Sequence, residues 1–356
     1  MFGMTIVLRV DPDNPRKDIV AIAARAILDE KTVVFPTETV YGLGASAFSS
    51  RAVKRIYVAK GRPLDNPLIV HISRISHLYE VADEVPEEAV KLAERFWPGP
   101  LTMVLKKSRS VAKEVTAGLP TVAVRMPAHP VARMLIDMST PIAAPSANIS
   151  GRPSPTEEHH VLLDMLGRAD VILLAGETVF GVESTIVDLT RRPPVLLRPG
   201  PIPVEMLKQY LPDLVVPPTA RGVRESDVAL APGMKYRHYA PRTRLIVVES
   251  DDYSDLGKLV EGVKKVVQEA MSKGLRVAII ASEETASMYR DIGVPIAVVG
   301  SRKNLYTVAR RLFAVLRDVD RLGVDVAVVE GFEEKGIGLA IMNRIRKASG
   351  YNVVKI

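Results

Sequence analysis

Ala59-Lys60-Gly61-Arg62-Pro63-Leu64-Asp65-Asn66-Pro67-Leu68-Ile69-Val70-His71-Ile72 is where one pattern gives way to another. Before it, residues 51–59 read as a helix; after it, residues 68–72 are a short apolar run of strand type. Helix, Gly/Pro loop and strand in that order make one step of an α/β chain. The loop itself is stiff and cationic. Pro63 and Pro67 restrict the residues before them, and Gly61 would let the backbone come close to a ligand. Lys60 and Arg62 can present a point charge and a planar fork to one phosphate chain. An exposed, solvated basic turn is the plain alternative.

The same alternation extends in both directions. Residues 4–10 alternate like a strand, residues 18–30 have helical spacing with Asp18 as a cap, and residues 32–35 form a short buried-type strand. Residues 36–44 are too rich in glycine and hydroxyl side chains for regular structure. Helices are expected over 75–82, 86–96 and 130–138, and strands over 101–105, 121–125, 170–174, 184–188 and 194–198. Residues 141–156 make a second strand-to-loop passage loaded with small polar groups. From about 211 to 241 the periodicity dissolves into proline, glycine and charge, as in a linker. Beyond it, residues 245–248, 277–280, 297–299 and 324–329 are continuous apolar runs separated by helical stretches, the pattern of a parallel sheet covered on both faces.

At 356 residues the chain exceeds what one core usually supports, so two domains are expected, 1–210 and 242–356, joined by 211–241. A hydrophobic fraction of 47% and a charged fraction of 25% exclude a wholly disordered chain. The net charge of +7 and the pI near 9.4 favour anionic ligands such as nucleotides or RNA. With no cysteine, disulfides, cysteine-based zinc sites and cysteine nucleophiles are all ruled out. No apolar run reaches the roughly 18 residues that span a bilayer, and no signal-peptide pattern is present, so a cytoplasmic protein without membrane contact is expected.

Gly42-Leu-Gly44-Ala-Ser-Ala47 fits a loose dinucleotide pattern, yet residues 37–41 separate it from the preceding strand, where that fingerprint should begin. Neither a P-loop nor a hydrolase nucleophile elbow occurs. The histidines lack ligand spacing except the adjacent His159-His160, whose side chains should diverge, so no protein metal site is expected. What remains is a set of small polar groups (Thr37, Thr39, Ser146, Asn148, Ser154, Ser184) and four cations (Lys60, Arg62, Arg125, Arg198) at predicted strand ends and loops. Such groups can converge on an anion with several oxygens, or act separately as caps and turn formers.

Seven ordered motifs carry a resemblance: Pro36-Thr-Glu-Thr-Val-Tyr-Gly-Leu-Gly44, Lys60-Gly-Arg62, Asn66-Pro-Leu-Ile-Val-His71, Trp97-Pro-Gly-Pro-Leu-Thr102, Val124-Arg-Met-Pro127, Ala144-Pro-Ser-Ala-Asn-Ile-Ser-Gly151 and Gly181-Val-Glu-Ser-Thr185. Over about residues 5–205 they resemble the YrdC-like family of threonylcarbamoyl-AMP synthases. Lys235-Tyr-Arg-His-Tyr-Ala-Pro241 and the α/β region after it resemble that family's long, two-domain branch. The resemblance implies an α/β protein with an N-terminal YrdC-like twisted mixed-sheet domain, a linker, and a smaller C-terminal Rossmann-like parallel-sheet domain. It implies a nucleotidyltransferase that joins L-threonine, bicarbonate or CO2, and ATP with Mg²⁺, giving threonylcarbamoyl-adenylate and pyrophosphate.

By the same resemblance, Lys60 and Arg62 would do the catalytic work. Arg62, Asn66, Thr121, Ser146, Ser154, Arg198 and Tyr236 would bind ATP, while Thr39, His71, Arg125, Ala144 and Ser184 would bind L-threonine. Residues 231–241, with Tyr236, would fold over the nucleotide as a lid. The implied partners are weakly contacted tRNA and the downstream tRNA threonylcarbamoyl-transferase machinery, which modifies the adenosine beside the anticodon. Carbamoyl transfer in hydrogenase maturation would need cysteine zinc fingers, which are absent. The non-enzymatic rival is an RNA-binding module without adenylating activity, for which aromatic content is low at 5%.

Overall fold

A computed structural model describes residues 4–224, 229–235 and 238–356. Eleven strands form one mixed sheet: β1 (Ile6–Arg9), β2 (Val33–Phe35), β3 (Gly42–Ser46), β4 (Ile69–His71), β5 (Ala82–Glu84), β6 (Leu101–Lys107), β7 (Thr121–Arg125), β8 (Ile142–Ala144), β9 (Val171–Leu174), β10 (Thr185–Asp188) and β11 (Val195–Arg198). Their order is β1-β9-β2-β3-β8-β4-β7-β6-β10-β11, with β5 pairing β6 at the side. Alternate residues serve opposite faces. Val33, Phe35, Ile142 and Ala144 pack with the helices Lys17–Leu28 and Pro130–Asp137, whereas Val34, Leu43 and Ala45 join the core beneath the helices Ser50–Lys60 and Glu87–Phe96.

Register positions the site before any side-chain contact is considered. His71 and Arg125 are partners in the parallel pair β4/β7, and Arg125 in turn faces Thr102 of β6. Ile69, two residues before His71, lies opposite Ala144 of β8. Four strands therefore bring His71, Arg125, Thr102 and Ala144 to neighbouring positions.

Two local expectations are corrected. Asp18 is not the cap of its helix; it sits in the first turn and pairs with Arg16 on the preceding turn. Residues 36–44 are not all irregular, because Gly42 and Gly44 belong to β3, antiparallel to β2. A Cβ on Gly44 would lie 2.4 Å from Ile142 Cγ2 and 2.7 Å from Phe35 Cε1, so glycine is required by packing there and not by a turn. Gly44→Ala is accordingly expected to destabilise the protein by about 1–3 kcal/mol, seen as a lowered thermal midpoint; an unchanged midpoint would show that Phe35 can move aside. Gly61 ends a helix, capping Ser50–Lys60 in the left-handed conformation, φ 61°, with open space where a Cβ would stand.

The second sheet is wholly parallel, with β12 (Arg244–Glu249), β13 (Val277–Ser282), β14 (Ile296–Gly300), β15 (Val326–Glu330) and β16 (Val353–Lys355) in the order β14-β13-β15-β12-β16. Four of these strands match the apolar runs; β16, a half-exposed edge, gives no such run. The helix Gly338–Ala348 is buried at every residue, because it lies between this sheet and the first domain. Val40 and Val182 of the first domain share a core with Ile341 and Ile345 of that helix, so the two domains are joined by apolar packing as well as by the linker. Among the described residues no helix is long and apolar enough to cross a membrane.

Candidate active site

A recess opens where β4, β7 and β8 end and the linker crosses them. On one side Arg125, the last residue of β7, is almost fully buried. Its NH1 donates to Thr39 Oγ1 at 2.8 Å, its Nε donates to the Gly99 carbonyl at 3.3 Å, and it forms an ion pair with Glu38 at 2.6 Å. Thr37 ties the same loop together, donating to the Val40 carbonyl at 2.6 Å. His71 Nδ1 lies 3.1 Å from the Ile69 carbonyl, which assigns the proton to Nδ1 and leaves Nε2 as an acceptor. Burial, reinforced by the Arg125 charge, pushes the imidazole down to about 3, so it is neutral near pH 7.

The other side is cationic. Arg62 is held by its own loop: Nε donates to the Asn66 carbonyl at 3.1 Å, and NH2 donates to Asn66 Oδ1 at 2.6 Å and to the Pro67 carbonyl at 2.9 Å. Burial lowers its guanidinium only to about 10, leaving it charged at neutral pH. Arg198, at the end of β11, donates from Nε and NH2 to the carbonyl and hydroxyl of Ser184, both at 3.1 Å, and from NH1 to the Pro232 carbonyl at 3.1 Å. Ser184 Oγ is also 2.7 Å from Thr102 Oγ1. Each cation is thus oriented by backbone carbonyls, so little rotamer freedom is left to lose when an anion binds.

Of the residues singled out from sequence, Thr37, Thr39, Arg62, His71, Arg125, Ala144, Ser146, Ser184 and Arg198 line this recess together. Lys60, expected to face the same phosphates as Arg62, does not. Its ammonium is buried beneath the loop after β8 and donates to the carbonyls of Ser146 and Asn148, and burial holds its pKa well below the usual value. Asn66 is likewise absent from the lining; its Oδ1 and carbonyl accept from Arg62, while its side-chain amide nitrogen is buried without a partner. Ser154 is buried behind the recess and donates to Glu183 Oε1. Thr121 begins β7, four residues and hence about 13 Å of strand away from Arg125. Tyr236 lies outside the described residues.

Several lining residues are not among those assigned a role one by one, although four of them belong to the 231–241 segment expected to cover the nucleotide. Glu183 is in the wall, and although burial pushes its carboxyl up, Arg344 and Arg198 more than offset this and hold it below the usual value. Pro232, Gly233, His238 and Tyr239 bring the linker across the mouth. Buried Glu38, the partner of Arg125, was passed over although it stands between Thr37 and Thr39. For Glu183, His238 and Tyr239 the signal was position inside two quoted motifs; for Glu38 it was a lone carboxylate in an otherwise hydroxyl-rich loop.

The His159 and His160 rings do not diverge; their centroids are 4.1 Å apart, and with Glu157 they form a group of three potential ligands within 4.8 Å. They open the helix Glu158–Met165, whose positive end opposes a cation, and Arg317 adds to that field at His160. Burial pushes His160 and His238, like His71, down to about 3. A folded-state pKa below the ordinary 6.5 contributes stability that is complete above 6.5 and is lost as pH falls toward 3, up to about 5 kcal/mol for each group. The thermal midpoint is therefore expected to hold above pH 7 and fall steadily from 6.5 downward; a flat profile across that window would show that these imidazoles are not buried neutral.

Comparison with known proteins adds the following. Residues 25–200 match the Sua5/YciO/YrdC family model, described as telomere recombination, and residues 202–350 match a model described as threonylcarbamoyl-AMP synthase, C-terminal domain. The threonylcarbamoyl-AMP synthase of Pyrococcus abyssi is 51% identical over 354 residues, 99% of this chain and 100% of its own length. That of Bacillus subtilis is 45% identical over 339 residues, 94% of each. The crystal structure of P. abyssi Sua5 complexed with L-threonine matches with a TM-score of 0.89 at 49% identity, covering 99% of this chain and 100% of that one.

Proposed function

Because the chain belongs to the Sua5/YciO/YrdC family and carries the C-terminal domain of its two-domain threonylcarbamoyl-AMP synthases, we propose that the recess makes threonylcarbamoyl-AMP and pyrophosphate from L-threonine, bicarbonate or CO2, and ATP. The observation that carries this reading is that one recess is lined both by groups suited to an amino acid (Thr39, His71, Arg125, Ala144) and by groups suited to phosphates (Arg62, Ser146, Arg198), together with Ser184.

Arg125 would grip the threonine carboxylate with its fork, and the neutral His71 Nε2 would accept a hydrogen bond from the amine or hydroxyl. A site that hydrogen-bonds the hydroxyl rejects an analogue lacking it far better than an apolar pocket could. The unprotonated amine attacks CO2, forming the N–C bond and releasing one proton. A carbamate oxygen then attacks the α-phosphorus while the bond to pyrophosphate breaks. Charge builds on phosphoryl oxygens in this step, and Arg62 and Arg198, which both line the recess, would stabilise it. Lys60 acts from below, as a positioning group that fixes the backbone carrying Ser146.

ATP enters as its magnesium complex. The Glu183 carboxylate on the wall is engaged by Arg344 and Ser154, so the phosphates and water would carry the ion. The product would pass to machinery that modifies tRNA, with only weak tRNA contact by this chain, in the cytoplasm. Incubation with α-labelled ATP, L-threonine and bicarbonate should give a labelled adenylate and pyrophosphate, and omission of any one substrate should abolish both. Tight, steeply salt-dependent tRNA binding without turnover would instead favour an RNA-binding module.

A further inference from the structure

Nothing in the proposed reaction uses the helix Gly338–Ala348, yet its polar side chains are buried with the rest of it. A buried charge must be matched: Arg346 is matched inside its own domain by Glu249 and Glu334, and the remaining contacts reach outside it. Asn343 donates to the Ala220 carbonyl at 2.8 Å and Arg346 to the Arg221 carbonyl at 2.9 Å. Arg344 donates to Glu183 Oε2 at 3.1 Å and to the Pro199 carbonyl at 2.6 Å. Lys347, only 4% exposed, donates to the Gly233 carbonyl.

The last two contacts bear on the recess, since Glu183 and Gly233 both line it. Successive linker carbonyls are held from opposite domains, Pro232 by Arg198 and Gly233 by Lys347. The turn between them is closely fitted. Gly233 has φ 84°, and a Cβ there would come within 2.5 Å of the Tyr239 hydroxyl. Tyr239 in turn stacks on Phe313 of the second domain, with centroids 5.3 Å apart, and its ring is 5.6 Å from the Arg344 guanidinium. The Arg62 charge is felt at His238 in this linker wall.

We infer that Lys347 is a positioning residue through which the C-terminal domain pins the Pro232–Gly233 turn as a wall of the recess, with Arg344 bracing Glu183 beside it. The second domain would thereby set ATP retention and water exclusion without touching a reacting atom. This inference rests on the recess being the threonylcarbamoyl-AMP site.

The test is Lys347→Met in the full chain, with ATP and L-threonine varied separately and pyrophosphate counted against trapped adenylate. A rise of roughly tenfold or more in the KM for ATP is expected, with the KM for threonine within about twofold and pyrophosphate released in excess of product. Lys347→Arg should recover most of the loss. An unchanged KM for ATP and an unchanged product ratio would overturn the inference. Should Lys347→Met not fold, Gly233→Ala disturbs the same wall from the linker side, and an unaltered KM for ATP there would overturn it equally. Hydrogen exchange of residues 229–235, expected to quicken in Lys347→Met, separates this inference from the reaction. If the unsubstituted protein makes no adenylate the functional reading fails, while slow, unaltered exchange defeats the clamp.

Discussion

Arg125→Met is expected to raise the KM for L-threonine by about 10²- to 10³-fold while the KM for ATP moves by no more than about threefold. Two effects combine in that loss. The first is the missing fork, which neither neighbour replaces, since His71 is neutral and Thr39 uncharged. The second is Glu38, whose buried carboxylate loses the ion pair at 2.6 Å; stranding such a charge costs about 3–5 kcal/mol of stability. The double variant Glu38→Gln/Arg125→Met separates them. It should regain most of the lost thermal stability and none of the threonine affinity. Arg125→Lys keeps a charge but not the planar fork, and should recover only a small part of the binding. If Arg125→Met binds threonine normally, the threonine carboxylate has been assigned to the wrong residue.

The periodicity of residues 18–30, 51–59 and 245–248 was legible because each segment is amphipathic or continuously apolar in the manner of its element. Strand order was not legible. β9 lies between β1 and β2, and β8 between β3 and β4, so pairing joins residues as distant as Ile6 and Val171 or Ala45 and Ala143, about which local pattern says nothing. β3 was missed for a physical reason: glycines that normally weaken a strand are there to admit the Phe35 ring. The convergence of Arg62, Arg125, Ser146, Ser184 and Arg198 could be anticipated from their places at strand ends and in loops. Which of them would be exposed to ligand could not. Lys60 and Arg62 are two residues apart in one motif, yet the first is the last residue of a helix and turns inward, whereas the second follows a left-handed glycine and faces the recess. The polar residues of Gly338–Ala348 gave no warning of their role, because their partners are carbonyls and a carboxylate supplied by other parts of the chain.

That divergence of neighbours leads to the second large effect, in which Arg62→Ala and Lys60→Met fail differently. Arg62 makes three hydrogen bonds to residues 66 and 67 of its own loop, and the cation lines the recess. Its removal should lower kcat by on the order of 10²- to 10³-fold, the range for losing one preorganised group that stabilises developing charge, and should also cost some thermal stability because three loop acceptors lose their donor. Arg62→Lys would retain the charge but lose the bonds that aim it, and should lie between. Lys60→Met instead leaves the carbonyls of Ser146 and Asn148 buried without their donor, at about 1–3 kcal/mol each. Its thermal midpoint should fall, and because Ser146 shifts with its backbone, the KM for ATP should rise along with a lower kcat. Thermal melts and ATP-dependent kinetics on the two variants decide the matter. A stable Lys60→Met enzyme with normal KM and a kcat depressed as far as in Arg62→Ala would mean that Lys60 swings out from beneath the loop and meets the phosphates itself.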